Sequence, residues 1–463
     1  MNNKTEQKEK SILIHIAELI DSEYPNKDNH LDDFIDKFCL VANFQSTNKS
    51  NYDGLLIEGD NKDALEMLLR GSEKLNINSY KGTVDLIYID PPYDSNNDYY
   101  ITTKIESANK TYSIKNLGYI DKWTHGTIEY LTMLYSRLSL LKDLLSDKGS
   151  IFVHIDNHAS NYVKILLDSI FGRNCFRNEI IWCYRQGGRA AKNFSKKHDT
   201  IFWYSKSPNQ WIFNEDSVRI PYVGTGGYQT SGKGVTINGK TYKPHRKGKI
   251  PEDWWDIPSL PPMSMERIGF STQKPEALLK RILLACSNKN SVVIDCFCGS
   301  GTTLSVAQKL KRRWIGVDFS KRAIQITQKR LLNNKLFSFK YISTNSDNIC
   351  FFEISYSLKN LLNKEILKIS IDRINFDNID MNQDIDIEEY KMLDLNELIE
   401  MICVDIDYSG DNFNPQIVLT RKNHKEPINL GMLNIYLDKK EKRNVNVRII
   451  DIFGRCSQKN LIF

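Results

Sequence analysis

The sequence predicts an α/β protein built on a mostly parallel sheet. Short apolar stretches that are typical of buried strands, such as 84–89 and 292–295, alternate with segments of helical periodicity, such as 161–171 and 275–286. Strands that alternate with helices in this way form βαβ units, whose strands run parallel. In such sheets ligands bind at the carboxyl ends of the strands, so the residues that follow each strand are candidates for the functional site.

Composition limits the class of protein. The chain has 463 residues, enough for two or three domains, and its 41% hydrophobic and 26% charged residues are ordinary for a soluble globular protein. No stretch approaches 18 uncharged apolar residues, and the polar N-terminus is unlike a signal peptide. Nine scattered Cys residues suit a reducing compartment. These features predict a cytoplasmic protein without a membrane partner.

Charge is unevenly distributed along the chain. The net charge is +6, but residues 185–281 hold 17 basic and 8 acidic residues, and residues 341–463 hold 15 basic and 20 acidic ones. A basic middle suggests a polyanionic partner such as nucleic acid. Lysine-rich surface loops would produce the same excess, so charge by itself leaves both interpretations open.

Periodicity and composition divide the chain into five segments. They are an N-terminal helical extension (1–50), a strand–helix region (51–204), a Gly-, Pro-, Lys- and Trp-rich region (205–270), a second strand–helix region (271–340) and an acidic C-terminal domain (341–463). Helices are expected, among others, over 12–20, 31–41, 118–147 and 394–402.

The first candidate site is Asp90-Pro91-Pro92-Tyr93, directly after the apolar strand 84–89. Two prolines remove two N–H donors and stiffen the loop, which leaves its carbonyl groups able to accept hydrogen bonds. Asp90 and the Pro91 carbonyl could accept from an exocyclic amine, and Tyr93 could stack on a base. A rigid turn without chemistry is the competing interpretation.

The second candidate site is the segment 295–303, in which Asp295 ends a strand and Gly299-Ser300-Gly301 makes a turn before a helix. Glycines at such a turn let the backbone approach a ligand at the helix N-terminus. Asp318 ends the next strand, at a spacing that suits an acceptor for ribose hydroxyls. The pattern fits either a dinucleotide or S-adenosylmethionine.

Together the two sites resemble the amino-group DNA methyltransferases. The order, with Asp90-Pro91-Pro92-Tyr93 before the glycine-rich loop, is similar to the beta, circularly permuted class, especially the Mod subunits of type III restriction systems and their solitary relatives. The resemblance covers about residues 54–330. It includes Gly59-Asp60, the segments 149–153, 254–258 and 272–276, and Phe297 with both glycines. Cys296 departs from the family, which usually has Pro there.

The resemblance implies a Rossmann-like fold with a mostly parallel seven-stranded sheet, helices on both faces, a target-recognition insert and a smaller α+β C-terminal domain. It implies a site-specific DNA methyltransferase that transfers a methyl group from S-adenosylmethionine to adenine N6 of a flipped base, as the modification component of a restriction or related defence system. Cytosine-N4 methylation, RNA adenine methylation and a non-catalytic DNA-binding module remain alternatives. Cytosine-C5 chemistry is not expected, because no Cys follows a Pro.

Residue roles follow from the same resemblance. Catalysis is assigned to Asp90, Pro91, Pro92 and Tyr93. Phe297, Gly299 and Gly301 would hold the methionine part of the cofactor, Asp318 its ribose and Asp60 its adenine amino group, while Lys274 and Thr302 would face its carboxylate. The full set of cofactor-binding candidates is Asp60, Lys274, Asp295, Phe297, Gly299, Ser300, Gly301, Thr302 and Asp318.

Double-stranded DNA is the expected partner. The basic and aromatic region provides the DNA-binding candidates Arg185, Arg189, Lys192, Lys243, Arg246, Lys247 and Lys249. The Gly-rich segment 224–249 is the favoured contact. A homodimer and a separate restriction endonuclease subunit are also expected. No zinc or calcium pattern is complete, so no metal is predicted.

Overall fold

The structure is a computed structural model that describes most of the chain. The described residues are 12, 14–18, 37–45, 54–107, 110–185, 191–222, 235–237, 240–242, 245–333, 338–344, 352–361, 364–375, 390–391, 393–410, 413–422, 425–430, 433–440 and 442–463.

The elements have these bounds within the described residues. The strands are β1 (Cys39–Gln45), β2 (Gly54–Glu58), β3 (Val84–Ile89), β4 (Asn97–Ser107), β5 (Lys110–Asp121), β6 (Leu145–Ile155), β7 (Phe176–Cys183), β8 (His198–Ser205), β9 (Val235–Ile237), β10 (Lys240–Tyr242), β11 (Trp254–Asp256), β12 (Val292–Asp295), β13 (Arg313–Asp318), β14 (Ser338–Ser343), β15 (Phe352–Asn360), β16 (Lys364–Ile374), β17 (Ile399–Asp405), β18 (Ile417–Thr420), β19 (Asn434–Asp438), β20 (Asn444–Asp451) and β21 (Cys456–Ile462). The helices are α1 (Asn61–Arg70), α2 (Thr127–Leu144), α3 (Ser160–Phe171), α4 (Glu215–Val218), α5 (Glu276–Cys286), α6 (Thr302–Lys309), α7 (Lys321–Leu332) and α8 (Leu395–Leu398), with a 3-10 turn at Arg173–Cys175.

The main sheet confirms the predicted mostly parallel α/β fold. Its strands follow the order β1-β14-β2-β13-β12-β3-β6-β8-β7-β11. The six central strands from β14 to β6 run parallel, while β1 and β8 run antiparallel to their neighbours. The sheet has ten strands rather than seven, because β1 and β14 extend one edge and β11 extends the other.

Helices cover both faces of this sheet, as expected. Leu55 and Ile57 of β2 belong to the core that includes α1, α2 and α3, whereas Leu56 between them belongs to the core that includes α5, α6 and α7. Successive side chains of a strand point to opposite faces. A strand buried on both sides therefore reads as a continuous apolar run, which is why the sequence located β2, β3 and β12 correctly.

Chain order and sheet order differ in the way that a permuted fold requires. Strand β3, which ends before Asp90, lies beside β12, which ends at Asp295, although about 200 residues separate them along the chain. Because the two strands are parallel, Asp90 and Asp295 come to the same edge of the sheet. Strand β13, which ends at Asp318, is the next neighbour of β12.

The N-terminal segment is not purely helical. Residues 14–18 are helical as predicted, but residues 39–41, placed in a helix by the sequence, belong to β1. Strand β1 pairs with β14 at the edge of the main sheet. The boundary at residue 340 is also wrong, because β14 continues to Ser343. Both errors concern β1 and β14, which pair with each other although about 300 residues separate them. A local sequence pattern does not reveal such a pairing.

The helix predicted over 118–147 begins only at Thr127. The preceding residues form the hairpin of β4 and β5, in which Ile114, Asn116 and Gly118 are buried at alternate positions. That period of two marks a strand. The leucines of α2 at 131, 134, 138 and 141 are all buried, as their spacing predicted.

The C-terminal domain is mostly β rather than α+β. It contains the sheets β15-β16-β19 and β18-β17-β20-β21, which enclose one apolar core. The helix predicted over 394–402 is restricted to α8, because residues from Ile399 onward form β17 between β18 and β20. Every residue of β17 is buried, and neighbouring strands outweigh a local helical preference.

The described part of the region 205–270 is joined to the main sheet. Strand β11 pairs in parallel with β7, and Trp255 and Ile257 lie in the core beneath the sheet. Most of the Gly-rich segment 224–249 lies outside the described residues, as do the acidic residues 380–389. None of the described helices is long and apolar enough to cross a membrane.

Candidate active site

A cavity of about 200 Å³ opens at the carboxyl ends of β3, β12 and β13. It brings together the two sites that the sequence identified separately. The predicted site residues that line it are Asp60, Asp90, Pro91, Pro92, Tyr93, Lys274, Asp295, Phe297, Gly299, Ser300, Thr302 and Asp318. Of the thirteen catalytic and cofactor-binding candidates, Gly301 is the one that does not line the cavity.

Asp90 is held by two donors. The Tyr93 hydroxyl donates to its Oδ1, and the Lys274 ammonium lies 2.5 Å from its Oδ2. Lys274 Nζ also lies 3.0 Å from the Tyr93 hydroxyl. No hydrogen bond reaches the Pro91 carbonyl within the part of the chain that the structure describes. That carbonyl can accept from a ligand, and each Asp90 oxygen retains a second lone pair.

Lys274 makes a contact that the sequence did not predict. The sequence assigned it to the carboxylate of the cofactor, whereas the structure pairs its ammonium with Asp90. Its side chain is 11% exposed, so this is a largely buried contact rather than a surface cation. Only its main-chain oxygen contacts the glycine-rich side, where it accepts from the Thr302 hydroxyl at 3.3 Å.

Asp121 organises the loop that follows Asp90, and the sequence did not reveal it. Its buried carboxylate accepts from the main-chain N–H groups of Tyr93, Asp94 and Ser95 at 3.1, 3.1 and 2.9 Å. It also accepts from the Ser95 hydroxyl at 2.7 Å and the Trp123 indole at 3.0 Å. Asp121 was hidden in the first part of the predicted helix 118–147, which is the end of β5 in the structure. The sequence signal for Asp121 was a single acidic residue between two segments that are rich in aromatic residues.

A buried polar chain lies beneath Tyr93. The Tyr93 ring stacks on His154 with centroids 6.2 Å apart. His154 is fully buried, with its Nδ1 2.8 Å from the Tyr88 hydroxyl and its Nε2 3.1 Å from Asp199 Oδ2. Burial alone would raise the pKa of Asp199, but the hydrogen bond and charge of His154 lower it below its usual value. These three residues lie on β3, β6 and β8, and the histidine ending an otherwise apolar strand was the signal in the sequence.

The two glycines of the turn make different contacts. Both adopt positive φ, 48° at Gly299 and 70° at Gly301, which favours glycine. A Cβ at Gly301 would lie 2.7 Å from the Thr327 side chain, so this glycine lets α6 pack against α7. Gly299 lines the cavity, and its N–H donates to Asp318 Oδ2 at 2.8 Å. Gly301 is therefore required for helix packing, and its contact with the cofactor stays a prediction.

Two carboxylates of the cavity have raised pKa values. Burial raises the pKa of Asp295 to about 7, although the Thr303 hydroxyl at 2.6 Å and the Phe297 N–H at 3.1 Å oppose the shift. Burial raises the pKa of Asp318 to about 6 against the hydrogen bonds from Ser320 and Gly299. Both hydrogen bonds to Asp295 come from the segment that contains the glycine-rich turn, so Asp295 stabilises the turn. Asp318 is half-buried and faces the cavity.

Asp60 combines two structural contacts with its place in the cavity. Its Oδ1 caps α1 by accepting from the Lys62 N–H at 2.8 Å, and its Oδ2 lies 3.1 Å from Arg137. Its side chain is still 45% exposed, so it can accept from a ligand as well. Next to it, Asn61 donates to the Cys296 carbonyl at 3.0 Å and ties the first helix to the glycine-rich turn.

Cys296, the departure from the family pattern, does not disturb the site. It is 1% exposed, and burial raises the pKa of its thiol well above the usual value. A buried neutral thiol is inert. Ser300 and Thr302 are also buried, and the Thr302 hydroxyl accepts from Arg330 at 2.9 Å.

The predicted DNA-binding residues fall into two places. Arg185 follows β7 and Lys192 precedes the antiparallel strand β8, so both lie at the edge of the sheet that holds Asp90. Arg185 forms a bidentate ion pair with Asp256, and Lys192 is exposed. Arg189 and Lys243 lie outside the described residues.

The other basic residues lie away from the cavity. Lys247 pairs with Asp216 at 2.9 Å beside α4, and Lys249 pairs with Glu252. The cap of α4, Asn214, bonds to the end of α5, donating to the Ser287 carbonyl at 3.0 Å. Helix α5 starts at the cavity and is about 16 Å long, from 1.5 Å per residue. The turn that holds Arg246, Lys247 and Lys249 therefore packs beside the end of α5 that lies away from the cavity, and its contact with DNA stays a prediction.

Comparison with known proteins agrees with this geometry. A family described as DNA methylase, of the N6 and N4 type, matches residues 84–329, more than half of the chain. The chain belongs to this DNA methylase family. It is 30% identical over 254 residues to the type II methyltransferase M.HpaI of Haemophilus parainfluenzae, covering 55% of this chain and 70% of that protein.

Two further proteins are similar to this chain. The DNA adenine methyltransferase YhdJ of Escherichia coli K12 is 27% identical over 250 residues, covering 54% of this chain and 76% of the relative. The Mod subunit of the Salmonella typhimurium type III enzyme StyLTI is 26% identical over 349 residues, covering 58% and 51%. The resemblance to methyltransferases that act on DNA amino groups is confirmed. So is the predicted cofactor, because methylases of this family use S-adenosylmethionine.

Proposed function

We propose that this DNA methyltransferase methylates the N6 amine of adenine at a specific site in double-stranded DNA, in the cytoplasm of a bacterial or archaeal cell. The observation that carries the proposal is the Asp90-Pro91-Pro92-Tyr93 loop, whose acceptors and aromatic ring face one cavity together with the glycine-rich turn. The similarity to an adenine methyltransferase, YhdJ, supports adenine over cytosine.

The residues of the cavity fit S-adenosylmethionine. Asp318 and Asp60 offer carboxylate oxygens at two sides, and Phe297 with Phe270 offers apolar surface between them. Asp318 would accept from the ribose hydroxyls, Asp60 from the adenine amine, and the turn at Gly299 and Ser300 would receive the methionine part. When bound, S-adenosylmethionine supplies an electrophilic methyl group on its sulfonium.

The chain's own residues prepare the target amine. Its lone pair is delocalised into the base, so the nitrogen is a weak nucleophile. Asp90 and the Pro91 carbonyl would accept its two hydrogens and favour a tetrahedral nitrogen whose lone pair points at the methyl group. Tyr93 would stack on the flipped base and fix its plane. After transfer, Asp90 is placed to receive the proton that the methylated nitrogen releases. Positioning and electrostatics would provide most of the rate enhancement.

DNA would approach the sheet edge that holds Asp90. Arg185 and Lys192 are the predicted contacts that lie at that edge, and exposed Phe194 stands between β7 and β8 in the same segment. Arg185 would exchange Asp256 for a phosphate, since an exposed ion pair contributes little in water. Arg246, Lys247 and Lys249 would contact DNA away from the target base.

Product analysis tests the proposal. Purified protein is incubated with DNA and labelled S-adenosylmethionine, and the nucleosides are resolved by mass spectrometry. We expect N6-methyladenine, and we expect Asp90→Ala to abolish it while S-adenosylmethionine binding persists. N4-methylcytosine would identify the cytosine-N4 alternative, and labelling of matched RNA alone would identify an RNA enzyme. Full activity of Asp90→Ala would contradict the assignment of Asp90.

The similarity to a type III Mod subunit supports a role as the modification component of a restriction system, with a separate endonuclease subunit. A homodimer is part of this proposal. Light scattering at micromolar concentration tests it, since a monomeric mass would contradict it. Modification-sensitive sequencing of host DNA with and without the gene would give the recognition sequence and the methylated strand.

A further inference from the structure

The hairpin of β4 and β5 connects the cavity with the C-terminal domain. It begins four residues after Tyr93 and returns to the site at Asp121. A two-stranded hairpin is marginally stable by itself in water, so its position must be set by what it packs against. Three parts of the hairpin contact three different surroundings.

The base of the hairpin forms a wall of the cavity. Gly118 and Tyr119 line it, and the Tyr119 ring stacks on Tyr99 with centroids 4.7 Å apart and planes 16° apart. Asp121, the last residue of β5, holds the main chain of Tyr93. A shift of this base would change both the cavity and the catalytic loop.

The middle of the hairpin contacts the cofactor side. Ile101 is 1% exposed in a small cluster with Phe270, Ala323 and Ile326. The Thr102 N–H donates to the Gly269 carbonyl at 3.0 Å. Phe270 itself lines the cavity, so the hairpin supports a second part of the wall.

The distal part of the hairpin is buried in the C-terminal domain. Ile105 of β4 and Ile114 of β5, which pair with Tyr112 and Thr103 across the hairpin, are both fully buried in the core that β15–β21 enclose. The Tyr112 ring lies 5.5 Å from Tyr390. Lys425 of the C-terminal domain lies 3.4 Å from Glu106.

We infer that the C-terminal domain is the anchor that positions the cavity wall, with Ile105 and Ile114 as positioning residues for S-adenosylmethionine binding. This inference rests on the proposed function of the cavity. Burial of the two isoleucines fixes the far end of both strands, and the ladder between β4 and β5 transmits that position to Gly118 and Tyr119. When the wall is already in place, cofactor binding does not have to order it, so less of the binding free energy is lost.

Weakening the anchor should weaken cofactor binding. In the full-length protein, Ile114→Ser is expected to raise the Kd for S-adenosylmethionine about tenfold by calorimetry. Ile114→Val, which retains the apolar contact, should bind like the parent protein. The matched control is Leu461→Ser, which removes a buried side chain from β21 in the same core but not from the hairpin. It should leave the Kd unchanged at a temperature where all variants remain folded.

Two outcomes would overturn the inference. One is parental affinity in Ile114→Ser, and the other is an equal loss in Leu461→Ser, which would indicate a general effect of stability. If Ile114→Ser does not fold, Tyr112→Ala, a milder change of the same contact, takes its place and should raise the Kd about threefold. If the parent protein binds no S-adenosylmethionine, the proposed function fails instead, so the two failures are distinguishable.

Discussion

The ammonium of Lys274 lies 2.5 Å from the carboxylate of Asp90, 184 residues earlier in the chain. The pairing joins the residue that starts the catalytic loop to the segment that precedes α5. It places a cation on the carboxylate that we propose accepts a hydrogen from the target amine. The Lys274 ammonium therefore lies on the Asp90 side of the cavity in this structure.

The first prediction concerns that pair. Lys274→Met should lower kcat for methyl transfer at least about tenfold, because Asp90 loses a donor that orients it. The Kd for S-adenosylmethionine should change much less, because the ammonium does not contact the glycine-rich turn. Lys280→Met, at an exposed position of α5, is the control. A large rise in Kd with unchanged kcat would restore the role that the sequence assigned to Lys274.

The second prediction concerns Asp121. Asp121→Ala removes four hydrogen bonds to the loop that follows Asp90 and one to the Trp123 indole, so Tyr93 should lose its fixed orientation. We expect kcat to fall about a hundredfold, following the sensitivity of catalysis to misplacement, while circular dichroism remains unchanged. Asp98→Ala, which removes a partly exposed carboxylate of the same hairpin and its ion pair with Lys122, should retain activity. Near-parental kcat in Asp121→Ala would show that the loop is held by other means.

The third prediction concerns the buried chain under Tyr93. His154→Phe leaves Tyr88 and Asp199 without their partner and should lower the free energy of unfolding by about 1–3 kcal/mol. Urea denaturation measures this. His158→Phe, whose side chain is 55% exposed, should change stability little. Equal free energies of unfolding for the two variants would mean that water takes the place of His154 in the hydrogen-bond chain.

The fourth prediction concerns pH. Burial raises the pKa of Asp318 to about 6 in the ligand-free protein. If its ionised form accepts from the ribose hydroxyls, affinity for S-adenosylmethionine should be constant above pH 7. It should then fall as pH drops through 6, approaching tenfold per pH unit.

Calorimetry from pH 5 to 8 tests this dependence. Asp318→Asn should bind more weakly at pH 8 and show a shallower dependence on pH. The pKa of Asp295 is also raised, to about 7, so Asp295→Asn separates its contribution. An unchanged pH profile in Asp318→Asn would exclude Asp318 as the titrating group.

Sequence patterns were sufficient for the centre of this protein. Strands β2, β3 and β12 are buried on both faces, so their composition alone located them. Asp90, Asp295 and Asp318 follow directly from those strands, because parallel strands bring their carboxyl ends to one edge. The family resemblance then assigned chemistry to residues that the fold brings into one cavity.

Tertiary structure decided what depends on distant partners. Strands β1, β5 and β17 pair with strands that the sequence cannot identify, so local helical spacing was misleading there. Lys274, Asp121 and His154 obtain their roles from contacts made across the sheet, and no local pattern specifies a contact 66 or 184 residues away. Local sequence encodes burial and turn geometry, whereas the packing of whole elements determines which polar side chain meets which.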